Sequence, residues 1–344
     1  MRFKNAGGNL AVIAIMSLFC LAVLIYGLCA SYYGLLLFKK GALNFVLGLF
    51  FLICIGFPSL YWVVTTSYRY FSAVPTYINQ RKIRVINPFL VDEKGLYSDT
   101  ERWLCNTVRD IAIAENIPKT PVVGIELCDD NPNAYAVGAT RSYSMVVATT
   151  GLIQNLNREE IAAVMAHEIG HIANLDTMAK TLLSATWGGV MMTLFTPMLL
   201  VVWYLGRFAA LLMLIAGLIY GLLGNWQHAT GFFIGVVIWL VLMLLPSITQ
   251  LLVTLLTFWH SRWREYHADA VAARLTSVDA MVSALATLDK LPFQPPKKNR
   301  QEMSTLWIRV EMKEETGVFH WLKYTHPPIH KRIEALRRGF YIKT

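Results

Sequence analysis

Charges are almost absent from two long parts of this chain and ordinarily frequent elsewhere, and that alternation divides it. Residues 10 to 37 form an uncharged apolar run, Lys39 and Lys40 interrupt it, and a second run extends from Leu43 to Val64. Each exceeds the ~20 residues a helix needs to cross a bilayer. Arg2 and Lys4 precede the first run as in a secretory signal. That run is nevertheless too long for the ~7–15-residue apolar core of such a signal, and a second span follows at once. The pattern predicts an uncleaved transmembrane hairpin over residues 1–64. Residues 181–259 hold a single charge, Arg207, and form a second apolar region.

The intervening segments, 65–180 and 260–344, are patterned like globular protein. "SDTERWLCNTVRDIAIAENI" repeats its apolar positions at helical spacing, with Ser98 or Asp99 placed to cap the start. "TPVVGIEL" reads as a strand, and "NAYAVGATRSYSMVVATTGLI" as two short strands around a polar turn. Asn157 and Glu160 resemble a capping box opening the next helix. "SRWREYHADAVAARLTSVDAMVSALATLDKL" is strongly helical, and a loop near "PFQPPKKNRQ" follows it. "THPPIHKRIEALRRG" closes the chain as a short helix, with Pro327 and Pro328 near its first turn and Gly339 at its end. The expected fold is mainly α with a small β-sheet.

Composition makes lipid part of the solvent. Hydrophobic residues are 55%, charged residues 15% and mean hydropathy is +0.45, more apolar surface than one core hides. The net charge of +9 does not point to nucleic acid: there is no recognition motif, and the basic residues flank apolar runs. No acidic residue precedes Asp92, whereas Arg2, Lys4, Lys39, Lys40, Arg69, Arg81, Lys82 and Arg84 all do. Of the five cysteines, Cys20, Cys29 and Cys54 sit in apolar runs, and Cys105 and Cys128 form no CxxC pair. An odd number so arranged reads as small hydrophobes in a reducing compartment, not a disulfide framework or a thiolate metal site.

The chemistry begins at "MAHEIGHIANLD", residues 165–176. On a helix, His167 and His171 are one turn plus a little apart, so both imidazoles reach one side and can share a zinc ion. Glu168 sits beside the first histidine, able to take a proton from an attacking water and deliver it to a leaving amine. Two histidines do not hold a catalytic zinc, so a third ligand is needed. "REYHAD" offers Glu265, with Asp269 four residues on, along the same helical face and able to accept the N–H of a metal-binding histidine. A solvated face paired with Arg262 or Arg264 fits that spacing equally well, and His267 points off it.

"AHEIGHIANLD", "SRWREYHADAVAARLTS" and "THPPIHKRIEALRRG", in this order, resemble the HtpX-type membrane zinc endopeptidases, whose relatives include the CAAX prenyl-proteases; "NAYAVG" and "VVATTGLI" fit the same pattern. The likeness runs from about Arg84 to Arg338. It implies a cytoplasmic zincin-like (gluzincin) domain beside a four-helix transmembrane region. It implies one zinc ion on His167, His171 and Glu265, Glu168 as catalytic base, and membrane-protein or peptide substrates cut in quality control. It further implies that His326 or Arg332 steadies an oxyanion, and that "NAYAVG" is an edge strand pairing with substrate, lined by Asn133 and Ala134. Leu175 departs from the pattern, standing where many relatives have glycine; a change of packing is the expected effect. Two other readings are a non-catalytic scaffold in which zinc staples two helices, and a protease of CAAX termini, whose relatives generally have more spans.

For His171 and Glu265 to meet, the chain between them must cross the membrane an even number of times. Four crossings would consume ~80 residues, all that residues 181–259 contain, so two are expected, near 182–204 and 232–256. "GNWQHATG" would be the far tip, and residues 208–223 an extension of a helix or a re-entrant piece. The excess of Lys and Arg on the site-bearing side places that side in the cytoplasm, at a bacterial inner membrane by the family likeness.

Overall fold

Helices account for most of the computed structural model, which describes residues 6–38, 41–88, 90–93, 95–127, 129–179, 191, 205–291 and 326–339. In chain order come α1 (Ala6–Leu37), α2 (Ala42–Phe51), α3 (Phe57–Phe71), α4 (Ala73–Gln80), β1 (Ile83–Ile86), α5 (Asp99–Ala114), β2 (Val122–Glu126), β3 (Ala134–Thr140) and β4 (Tyr143–Thr149). There follow α6 (Thr150–Asn155), α7 (Arg158–Ala173), α8 (Arg207–Leu222), α9 (Trp226–Leu275), α10 (Val278–Lys290) and α11 (Ile329–Arg337). The chain divides into two units: one of Met1–Ile15, Tyr68–Leu182 and Thr257–Thr344, the other of Met16–Ser67 and Leu183–Leu256.

Among its described residues the apolar unit shows two helical pairs. A π-helical turn, Leu52–Gly56, joins α2 to α3 without a break. α1 packs on this composite helix through small residues: a Cβ on Gly34 would lie 2.8 Å from the Gly48 carbonyl oxygen, and one on Gly48 would lie 2.4 Å from that of Gly34. Such close backbone contact is how helices associate where lipid offers no hydrophobic drive. Ser31 and Ser59 return their hydroxyls to carbonyls one turn back, Gly27 and Ile55, so neither is left unsatisfied. In the second pair α8 lies against the start of α9, with Tyr220 stacked on Phe232 and Gly217 beside Phe233. The turn between them is tight, with Gly224 at φ 77°. Residues 207–222 are therefore a helix hairpinned with α9, which itself starts at Trp226 and not at 232. Apart from Met191, the expected span at 182–204 and the loop near "PFQPPKKNRQ" lie outside the described residues. Among the described residues, Asn44–Tyr68 and Trp226–Leu275 are the helices long and apolar enough to cross a membrane.

The polar unit is built on a four-stranded mixed sheet of order β1-β2-β4-β3, in which β2 and β4 run parallel and the outer pairs antiparallel. β3, the "NAYAVG" strand, is an edge as expected. β1 was not anticipated: "IRVI" is too short to show alternation, and pairing with β2 creates it. One sheet face (Ile86, Val123, Ile125, Ala134, Ala136, Val146, Ala148) joins α5, α7 and α10 in the main core. The other (Ile83, Tyr135, Val137, Met145, Val147) is covered by Val74 of α4. Arg81 at the end of α4 pins that layer, pairing with Glu126 at 2.9 Å while Tyr135 donates to the same carboxylate at 2.9 Å.

Both predicted helix starts carry capping boxes. Ser98, and not Asp99, caps α5, and Asn157 caps α7 with Glu160 reaching back. Glu160 also accepts from Ser283 at 2.6 Å and Thr287 at 2.8 Å, tying α10 to the start of α7. Burial opposes its charge, but these hydroxyls and the Asn157 N–H outweigh that and hold its carboxyl below the ordinary range. Cys29, Cys54 and Cys105 are free thiols.

Candidate metal centre

The site forms where α7 meets the last third of α9. Gly170 makes the approach possible: a Cβ there would stand 3.2 Å from Val271 and 3.4 Å from the Ala268 backbone. A larger side chain would push α9 away and carry Glu265 with it.

His167 and His171 lie one above the other on α7, with their Nε2 atoms 3.1 Å apart. Glu265 faces both: Oε2 is 3.6 Å from His167 Nε2, and Oε1 is 3.5 Å from His171 Nε2. Four-coordinate zinc with bonds of ~2.0–2.2 Å requires ligand atoms about 3.3 Å apart, so the three side chains already stand at the separations a metal imposes. Among the described residues, neither buried oxygen of Glu265 receives a hydrogen bond in good geometry. Two nitrogen lone pairs and an unsatisfied carboxylate turned toward one point are groups a cation would satisfy. The donor set fits zinc.

Behind the ligands each histidine has its own carboxylate. His167 Nδ1 is 2.9 Å from Asp269 Oδ1, the partner expected from the sequence. His171 Nδ1 is 2.7 Å from Asp176 Oδ2, a contact the sequence reading missed although Asp176 stands inside the opening motif. With Nδ1–H donating, each ring leaves Nε2 free for a metal. Burial works against a charged His167, but the hydrogen bond to Asp269 and the nearby Glu265 carboxylate outweigh this and raise its pKa to about 9.

The solvated-face reading of Glu265 and Asp269 fails, since both are about 1% exposed. Asp269 pairs with neither Arg262 nor Arg264; it takes Arg332 of α11 in a fork, Nε to Oδ2 at 2.8 Å and a terminal nitrogen to Oδ1 at 2.6 Å. Arg332 is fully buried, and these carboxylates keep its guanidinium charged despite that. His326 lies just before α11 with Nδ1 3.0 Å from Glu265 Oε2, and Nε2 buried without a hydrogen-bond partner among the described residues. Glu168 is buried on α7, close enough to stabilise the charge on Arg332. Asn133 and Ala134 are buried where β3 begins; the Asn133 N–H donates to the Thr149 hydroxyl at 3.0 Å, and its carbonyl accepts from the Thr149 N–H at 2.9 Å.

Leu175 affects the backbone and not packing alone. Its φ is 60°, the left-handed region in which a side chain is strained and glycine is not. Leucine is therefore held here at a backbone cost.

A family model described as peptidase family M48 matches residues 98–339. Proteases named HtpX are similar in sequence. That of Sodalis glossinidius is 39% identical over 72% of this chain and 76% of its own. That of Klebsiella pneumoniae is 37% identical over the same shares. A crystal structure of Ste24p from S. mikatae matches with TM-score 0.47 and 18% identity, covering 94% of this chain and 66% of that one.

Proposed function

The chain belongs to peptidase family M48 and is a membrane metalloprotease, and from that premise we propose that it is a zinc endopeptidase cutting membrane or misfolded proteins on the cytoplasmic face. The carrying observation is the convergence of His167, His171 and Glu265 at metal-ligand separations. One zinc ion per chain, held by these three, would polarise the scissile carbonyl and the attacking water. Glu168 takes the proton from that water and returns it to the leaving amine. His326 is the oxyanion donor, because among the described residues its Nε2 is unengaged, whereas the Arg332 fork is committed to Asp269. Arg332 instead holds Asp269, and through it the tautomer of His167. Substrate adds as a strand to β3, an edge of the sheet among the described residues, entering beside Asn133 and Ala134, where the Thr149 hydroxyl steadies the backbone.

Cytoplasmic orientation is supported by the basic residues Arg69, Lys82, Arg84, Lys180 and Arg262 on the site-bearing side. A bacterial inner membrane and a role in quality control follow from the relatives' pattern. Protein purified in detergent is expected to cleave casein. Glu168→Gln should lose roughly 10²–10⁴-fold in rate while keeping its metal. Undiminished cleavage by that variant would refute the assignment; preference for a prenylated CAAX peptide over casein would redirect the substrate class.

A further inference from the structure

Two ion pairs bracket Glu265 on α9. One is Asp269–Arg332, four residues beyond it; the other is Arg264–Asp176, with Arg264 immediately before it. We propose that Asp176 and Arg264 form a positioning pair, which orients His171 and holds Glu265 against it before any metal arrives. The inference rests on the metal-centre reading above.

The geometry is specific. Asp176 Oδ2 lies 2.7 Å from His171 Nδ1, and its Oδ1 accepts from Arg264 Nε at 2.5 Å. Both side chains are buried, Asp176 to 1% exposure and Arg264 to 4%. A continued α-helix would turn the residue five positions after His171 about 140° away from it. The chain instead leaves the helix at Asn174, and the left-handed turn at Leu175 returns Asp176 beneath the imidazole. The strain at Leu175 thus accompanies a specific contact. One carboxylate serves two ends: it fixes the proton on His171 Nδ1, and through Arg264 it ties the end of α7 to the turn of α9 that presents Glu265. The His167 side repeats the scheme with Asp269 and Arg332. Each histidine therefore has a carboxylate behind it and an arginine behind that, and the three ligand atoms keep their separations through contacts that include no metal.

The test uses the full chain in detergent micelles, stripped and reloaded with zinc or cobalt. Asp176→Asn and Arg264→Met are each expected to weaken zinc binding about 10–100-fold in chelator competition. They should shift the visible d–d bands of the cobalt form, and lower kcat more than they raise KM. The double variant should be no worse than Asp176→Asn alone, because the two residues act as one unit. Arg264→Lys, which keeps the charge, should recover part of the loss. Circular dichroism on each variant identifies any that has not folded, and Asp176→Asn, nearly isosteric, is the decisive one. Affinity within about twofold of the parent with an unchanged cobalt spectrum, or equal losses in Arg264→Lys and Arg264→Met, would overturn the proposal. A parent chain that binds no metal, or a His171→Ala variant that binds it as well as the parent, would instead overturn the metal-centre reading.

Discussion

Replacing Arg332 by methionine removes a charge that holds two other charges in place. Its guanidinium is wholly buried, makes two short bonds to Asp269 and lies 3.5 Å from Glu265. Methionine fills much of the space but leaves Asp269 ionised and buried, with His167 Nδ1 its remaining partner among the described residues. Breaking a buried pair from one side costs about 3–5 kcal/mol, whereas replacing both partners is often close to neutral. At ~2–4 °C per kcal/mol, Arg332→Met should melt roughly 6–20 °C lower, and adding Asp269→Asn should restore part of that. Arg332→Lys should fall between, keeping the charge but losing the fork. Thermal unfolding of metal-stripped protein in detergent, followed by the fluorescence of the ten tryptophans, separates this effect from loss of zinc. If Arg332→Met melted within about 2 °C of the parent, or if the double variant were as unstable as the single, the buried-pair argument would be wrong. Arg332 would then be available for a direct part in catalysis.

Leu175→Gly should relieve the left-handed strain. Non-glycine residues pay ~1–2 kcal/mol there, partly offset by glycine's entropy and the lost leucine contacts, so a gain of about 0.5–1 kcal/mol is expected as a rise in melting temperature at unchanged zinc content. Glu160→Gln should cost about 1.5–3 kcal/mol at pH 7 by weakening charged hydrogen bonds to α10 and the cap. Since the folded carboxyl is held below its ordinary value, that stability is present above the unfolded pKa of about 4.3 and is lost as pH falls through the folded one. Unfolding measured at neutral and at acid pH should therefore show the variant and parent converging. His326→Ala should lower kcat about 10²–10³-fold with little change in KM. A reduced KM-only effect in steady-state kinetics would remove His326 from the oxyanion role.

Local pattern and chemistry were readable from residues in a row. The Asn157–Glu160 cap, the short apolar runs of β3 and β4 around a polar turn, the placement of His167, Glu168 and His171 on one helix, and the Glu265–Asp269 spacing are all local patterns, which a sequence displays directly. Apolar run length exposed the membrane character, because bilayer thickness sets helix length. What joins distant segments had no such trace. β1 is a strand only because β2 lies beside it. Residues 207–222 became a hairpin arm only against α9. Asp176 serves His171 only because the backbone at Leu175 turns left-handed, and Arg332 is a buried clamp, not a surface charge, because α11 carries it into contact with Asp269. Sequence by itself determined which side chains could bind a metal and on which helices they stand. Only the tertiary structure decided which carboxylate supports which histidine, since an ion pair between residues 63 or 88 positions apart depends on how helices pack and has no period to read.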